Sequence, residues 1–142
     1  MKEDAGPVCR RLIVKELLNK SVLVIDDDAG MLRALTKALT GEGLVVASTS
    51  DPVMAMEYLM GGNWKFDVII TDLRMPGLDG IEVLDLVKNS RPNIPVIIVT
   101  AYGTGEAQAA AAQLGAAAYL EKPVATTELL QAIQRAVTPP AP

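Results

Sequence analysis

The sequence predicts an α/β domain, a doubly wound sheet of five parallel strands with a helix after each. Three observations predict it. Continuous apolar runs recur at Val22-Leu23-Val24-Ile25, Phe66 to Ile70 (with Asp67 as the one polar interruption) and Val96-Ile97-Ile98-Val99, as in strands buried on both faces. Stretches of helical period separate them, so strand and helix alternate. Polar residues collect where the apolar runs stop, at Asp26-Asp27-Asp28, Thr71-Asp72, Thr100 and Lys122.

Taken in order, residues 1–20 read as an N-terminal extension outside the main domain, helical in part. Ile13, Val14, Leu17 and Leu18 form an apolar stripe in it that Arg10 interrupts. Such a stripe needs a cover, on the domain or on a second copy of it. Residues 21–137 form the domain. After the first strand, Ala29 to Thr40 is a helix with Leu32, Leu35 and Leu39 inward, and Asp28 reads as its cap. Leu44 to Ala47 is the second strand. Asp51-Pro52 opens the next helix as cap and first helical residue, with Met56, Leu59 and Met60 as core filler. Phe66 to Ile70 is the third strand, and Met75-Pro76-Gly77 with Asp79-Gly80 breaks all regular structure after it. Gly80 to Asn89 is a helix carrying Ile81, Val83, Leu84 and Val87, and Val96 to Val99 is the fourth strand. An alanine-rich helix, Gly105 to Leu114, is closed by Gly115. Ala118-Tyr119-Leu120 is a short fifth strand, and Thr127 to Val137 is a last helix with Leu129, Leu130 and Ile133 inward. Residues 138–142 are a proline-rich tail or the start of a linker.

Composition removes several function classes. At 142 residues the chain is one domain with an adequate core. A formal charge of −4 argues against nucleic-acid binding by this domain. No apolar run approaches the roughly 20 residues of a membrane span, and no signal peptide is recognisable. The single cysteine, Cys9, fits a reducing compartment, so a cytoplasmic location is expected. There is no histidine, so any phosphohistidine in the chemistry belongs to a partner.

In a flavodoxin-like strand order, 2-1-3-4-5, the ligand crevice opens between the first and third strands. Those strands end at Asp26-Asp27 and at Asp72. Three carboxylates at about 4 Å, with an effective dielectric near 20, repel by on the order of 4 kcal/mol per pair, and one lysine cancels a single charge. Such a cluster takes up protons or recruits a cation. Magnesium fits, being hard, oxygen-seeking and content with one or two carboxylates plus waters.

The segments VLVIDDDAGMLR, IITDLRMPGLDG, VIIVTAYG and YLEKP, in this order and spacing, resemble the receiver domain of two-component response regulators over about residues 21–137. The resemblance implies Asp72 as phosphoacceptor, Asp26 and Asp27 as the acidic pair and Lys122 as the phosphoryl-binding cation. Thr100 becomes the switch hydroxyl and Tyr119 the switch aromatic. It implies a magnesium ion held by the acidic pair, Asp72 and the backbone carbonyl of Arg74. Arg74 and Tyr102 fall at the positions that tune the lifetime of the phosphoryl group, and the Lys122–Pro123 bond is expected to be cis. The implied function is a signalling switch rather than a turnover enzyme, phosphorylated by a histidine kinase or phosphotransfer protein. Its output surface, and one homodimer interface, would be the fourth helix, fifth strand and fifth helix. With no output domain after Val137, the chain reads as a stand-alone receiver or a fragment of a larger regulator. The alternative is a small phosphatase of the haloacid dehalogenase kind, since Asp26 and Asp28 give an Asp-x-Asp. Gly30 stands where that family has Thr or Val, and there is no cap insertion. A third reading is a pseudo-receiver that binds partners unphosphorylated.

Overall fold

Five parallel strands in the order β2-β1-β3-β4-β5 make up the sheet. The structure, a computed structural model, describes residues 15–61 and 65–138. The elements alternate as β1 (Ser21–Ile25), α1 (Ala29–Gly41), β2 (Val45–Thr49), α2 (Pro52–Met60), β3 (Val68–Thr71), α3 (Gly80–Ser90), β4 (Val96–Thr100), α4 (Gly105–Gln113), β5 (Ala118–Glu121) and α5 (Thr126–Val137).

Period-two alternation in the central strands divides the interior into two cores. Val22, Val24, Val68, Ile70, Ile97 and Val99 face α1 and α5, where they meet Leu35, Leu39, Leu129, Leu130 and Ile133. Leu23, Ile25, Ile69, Val96 and Ile98 face the other way, against Ala55, Leu59, Val83, Leu84, Val87 and Ala111. Burying each such aliphatic side chain contributes about 1.5–3 kcal/mol, which explains why β1 from Val22 on, and β3 and β4 up to their closing threonines, carry no polar residue.

Helix starts are specified locally. Asp28 accepts from the N–H groups of Gly30 and Met31, and Asp51 from that of Val53. Asp79 and Glu82 form a reciprocal capping box at α3. Gly115, at φ 89, follows the end of α4, a left-handed position that glycine adopts without strain.

Three expectations are corrected. The third strand starts at Val68 rather than Phe66; Asp67 meets Ser21 at its entry, its N–H donating to the Ser21 carbonyl at 2.8 Å and its carboxylate accepting from the Ser21 N–H at 2.7 Å, and Phe66 is still buried. The second strand is shifted to Val45–Thr49, with buried Leu44 leading into it. Met60 is 61 % exposed at the end of α2 and fills no core, whereas Leu59 is buried. In the N-terminal stripe, Leu17 is fully buried and Leu18 exposed, while Ile13 and Val14 lie outside the described residues.

Candidate functional site

Backbone hydrogen bonds continue one residue past the strand ends and hold three side chains at one rim of the sheet. The Asp26 N–H donates to Thr49 O, the Asp72 N–H to Ile25 O and the Lys122 N–H to Thr100 O, at 3.2, 2.9 and 2.9 Å. Carboxylate oxygens of Asp26, Asp27 and Asp72 come within 4.8 Å of one another. Asp26 and Asp72 are buried and Asp27 is exposed, so the cluster opens to solvent on one side. Lys122 donates to Asp26 at 2.7 Å and to Asp72 at 3.3 Å. The remaining Asp26 oxygen accepts from the Asp28 N–H at 2.9 Å. The Lys122–Pro123 bond is cis.

Burial pushes the Asp26 carboxyl up, and the Asp72 charge adds to that. The hydrogen bonds from Lys122 and Asp28 oppose this without cancelling it. Burial alone would lower Lys122, but its hydrogen bonds and charge contacts with Asp26 and Asp72 outweigh that and raise it. Three carboxylates against one lysine leave an excess of negative charge, and the all-oxygen donor set suits a hard divalent cation. The cluster can therefore hold a metal ion.

A cleft of about 480 Å³ lies over these groups, lined by Asp27, Asp28, Met31, Asp72, Arg74, Ala101, Tyr102, Lys122 and Pro123. Arg74 and Tyr102 are thus on its wall, and Tyr102 is 64 % exposed. Thr100 closes β4 beside the cluster, fully buried, and its hydroxyl accepts from the Tyr102 N–H at 3.0 Å. Tyr119 stands apart from the carboxylates, packed on the second core with its hydroxyl buried. Burial, aided by the nearby Glu121 charge, raises that phenol against the opposing pull of the Thr104 backbone. Asp28 is spent on the cap of α1, which leaves an Asp-x-Asp pair without its second member.

The chain matches the model of the response regulator receiver domain over residues 22–134. The chain belongs to the receiver-domain family of two-component response regulators. The receiver is 37 % identical over 117 residues to the DNA-binding transcriptional regulator NtrC of Escherichia coli, covering 82 % of this chain and 24 % of that protein. It is 37 % identical over 121 residues to the transcriptional regulatory protein GlrR of the same organism, covering 85 % and 27 %. The chain therefore spans about a quarter of the length of these curated relatives. Among solved structures, a receiver domain protein from Clostridium thermocellum superposes with a TM-score of 0.78 at 33 % identity, over 83 % of this chain and 94 % of that one. Full-length FixJ from B. japonicum gives 0.76 at 35 % identity, over 84 % and 58 %. Among the described residues no helix is long and apolar enough to cross a membrane.

Two residues of the receiver site escaped the sequence reading. A Cβ on Gly80 would stand 2.4 Å from the Asp72 carbonyl oxygen, and one on Gly103 would stand 2.4 Å from the Tyr119 hydroxyl. Both glycines permit close approach, and neither has positive φ. The only signal in the sequence was glycine itself, which Asp79-Gly80 disguised as an ordinary turn. Gly80→Ala should therefore destabilise the receiver by about 1–3 kcal/mol, the usual cost of overpacking. Urea melts check this: an unchanged midpoint would show that the backbone yields freely there.

Proposed function

We propose that this receiver is a phosphorylation-controlled signalling switch in which Asp72 accepts a phosphoryl group from a phosphohistidine of a partner histidine kinase or phosphotransfer protein. The observation that carries this reading is the convergence of Asp26, Asp27 and Asp72 within 4.8 Å, with Lys122 bridging Asp26 and Asp72. The chain has no histidine, so the donor imidazole comes from outside. An Asp72 oxygen attacks phosphorus as the phosphorus–nitrogen bond breaks, and the partner's imidazole leaves with the electron pair and takes a proton. Carboxylates are competent nucleophiles for acyl phosphate formation. The protein contributes alignment and charge at the three equatorial oxygens.

Lys122 supplies one of those charges. It leans on Asp26 and touches Asp72 more loosely, so Asp72 keeps a nucleophilic oxygen. The Thr100 hydroxyl, now held by the Tyr102 N–H, exchanges that contact for a phosphoryl oxygen and draws the loop after β4 inward, with Tyr119 following. Magnesium, held by Asp26, Asp27, Asp72 and the Arg74 carbonyl, would neutralise phosphoryl charge when bound. The readable result is a changed surface on α4, β5 and α5, and the setting is cytoplasmic. Acetyl phosphate with magnesium tests the reading: a hydroxylamine-sensitive phosphoryl group should appear on Asp72. Magnesium-dependent multiple turnover through Asp26 would instead establish a phosphatase, and absence of any label a pseudo-receiver.

Lifetime follows from the cleft walls. Hydrolysis needs a water in line with the Asp72–phosphorus bond, and Tyr102 and Arg74 stand where they can shield that approach. Tyr102→Ala combined with Arg74→Ala should lose the phosphoryl label several-fold faster than wild type. Equal decay of the two proteins in a label-chase would eliminate shielding.

A further inference from the structure

The residues just before β1 are fastened to the domain at three points. Leu17 is fully buried in the first core, which also holds Leu39, Leu44 and the α5 residues Leu130 and Ile133. The Gln134 side chain on α5 donates to Glu16 at 3.0 Å. The Asn19 N–H donates to the Gly43 carbonyl, between α1 and β2, at 2.9 Å. Asn19 has φ 66 and the Lys20 N–H returns to Leu17 O, a left-handed stop that ends the helical turn at 15–17. This joint is on the floor of the sheet, at the opposite ends of the strands from the carboxylates.

Charge is sorted to match. Residues 1–14 hold three of the thirteen Lys and Arg and two of the seventeen Asp and Glu, a net +1, which leaves −5 on residues 15–142. A basic arm is attracted to an acidic body, within the reach that salt allows.

The joint also has a mechanical connection to the site. Lys122 contacts Asp72, and α5 begins at Thr126, only four residues later. A 12-residue helix is about 18 Å long and carries a displacement of its start to its end, where Gln134 meets Glu16.

We propose that residues 15–20 are a coupling joint that binds the N-terminal arm to α5, so that phosphorylation at Asp72 is delivered to the chain upstream of Lys15. This rests on the reading of Asp72 as phosphoacceptor.

The lone cysteine, Cys9, offers a place for a maleimide dye on the full chain. With acetyl phosphate and magnesium, the dye's anisotropy should change in wild type and not in Asp72→Asn. The amides of Asn19 and Lys20 should exchange at least tenfold more slowly than those of an unstructured segment. Leu17→Ala should abolish the anisotropy response while Asp72 is still labelled. Should that variant fail to fold, Glu16→Ala with Gln134→Ala should reduce the response by more than half. Labelled Asp72 with constant anisotropy, or an equal response in the joint variants, overturns the coupling and leaves the receiver reading intact. Absence of acyl phosphate in wild type overturns both.

Discussion

Asp72→Asn is expected to abolish phosphoryl acceptance and leave the fold unchanged. The substitution keeps side-chain shape and the contact to the Leu73 N–H, which reaches Asp72 Oδ1 at 2.7 Å. It removes the nucleophile's charge, and the buried neighbour Asp26 is tied to Lys122 and the Asp28 N–H. Phosphoryl incorporation, measured with acetyl phosphate and with a kinase donor, should drop to background. The loss of a carboxylate from a crowded acidic cluster should also leave the melting temperature equal or higher. Stoichiometric acyl phosphate at another residue would overturn the assignment of Asp72.

Magnesium should stabilise this receiver strongly, and its removal should undo that. A ligand that binds only the folded state contributes about 2.7 kcal/mol at 100 times its Kd. Chelation, or Asp26→Asn with Asp27→Asn, should remove that increment, and the double variant should melt equally with and without the ion. The pH dependence has a definite sign. The Asp26 carboxyl titrates above its ordinary value, so it regains its proton early as pH falls. Magnesium stabilisation should therefore fade on acidification before an ordinary carboxylate would begin to protonate. The metal-free protein behaves oppositely over that window. The native state binds this proton more readily than the unfolded chain, so its contribution favours folding as pH falls and is lost as pH rises. Melts with and without magnesium across the acidic range check both signs, and parallel curves would sink the metal assignment.

The sheet and its rim were legible for one physical reason. A strand buried on both faces must be apolar throughout, so Val22–Ile25 and Val96–Val99 announce themselves locally, and the polar residue that ends each run marks the rim. Asp26, Asp72 and Thr100 were readable by that rule, and the Asp28 and Asp51 caps by the needs of a helix start, whereas Lys122 follows a half-buried edge strand that ends at Glu121. What could not be read were relations between distant parts of the chain. Asp67 takes the Ser21 N–H on its carboxylate, 46 residues away along the chain, which no local pattern announces. Leu17 and Leu18 are adjacent and equally apolar, yet only the first meets the core. Met60 continues the apolar pattern to the last residue of α2, where it meets solvent and not the core. Gly80 and Gly103 matter through what they touch, the Asp72 carbonyl and the Tyr119 hydroxyl, and no local pattern names those partners.

The close packing of Gly80 against Asp72 decides which side of the pocket can yield. The Asp72 peptide is held by its N–H to Ile25, by the Thr71 hydroxyl on its carbonyl, and by a helix start that leaves no room beyond it. Opposite stand Ala101 and Tyr102, both exposed. The site thus works like a vice with one fixed jaw. If Asp72 takes up the charge proposed above, that residue has no room to retreat, and the loop after β4 and Lys122 are the parts left to move.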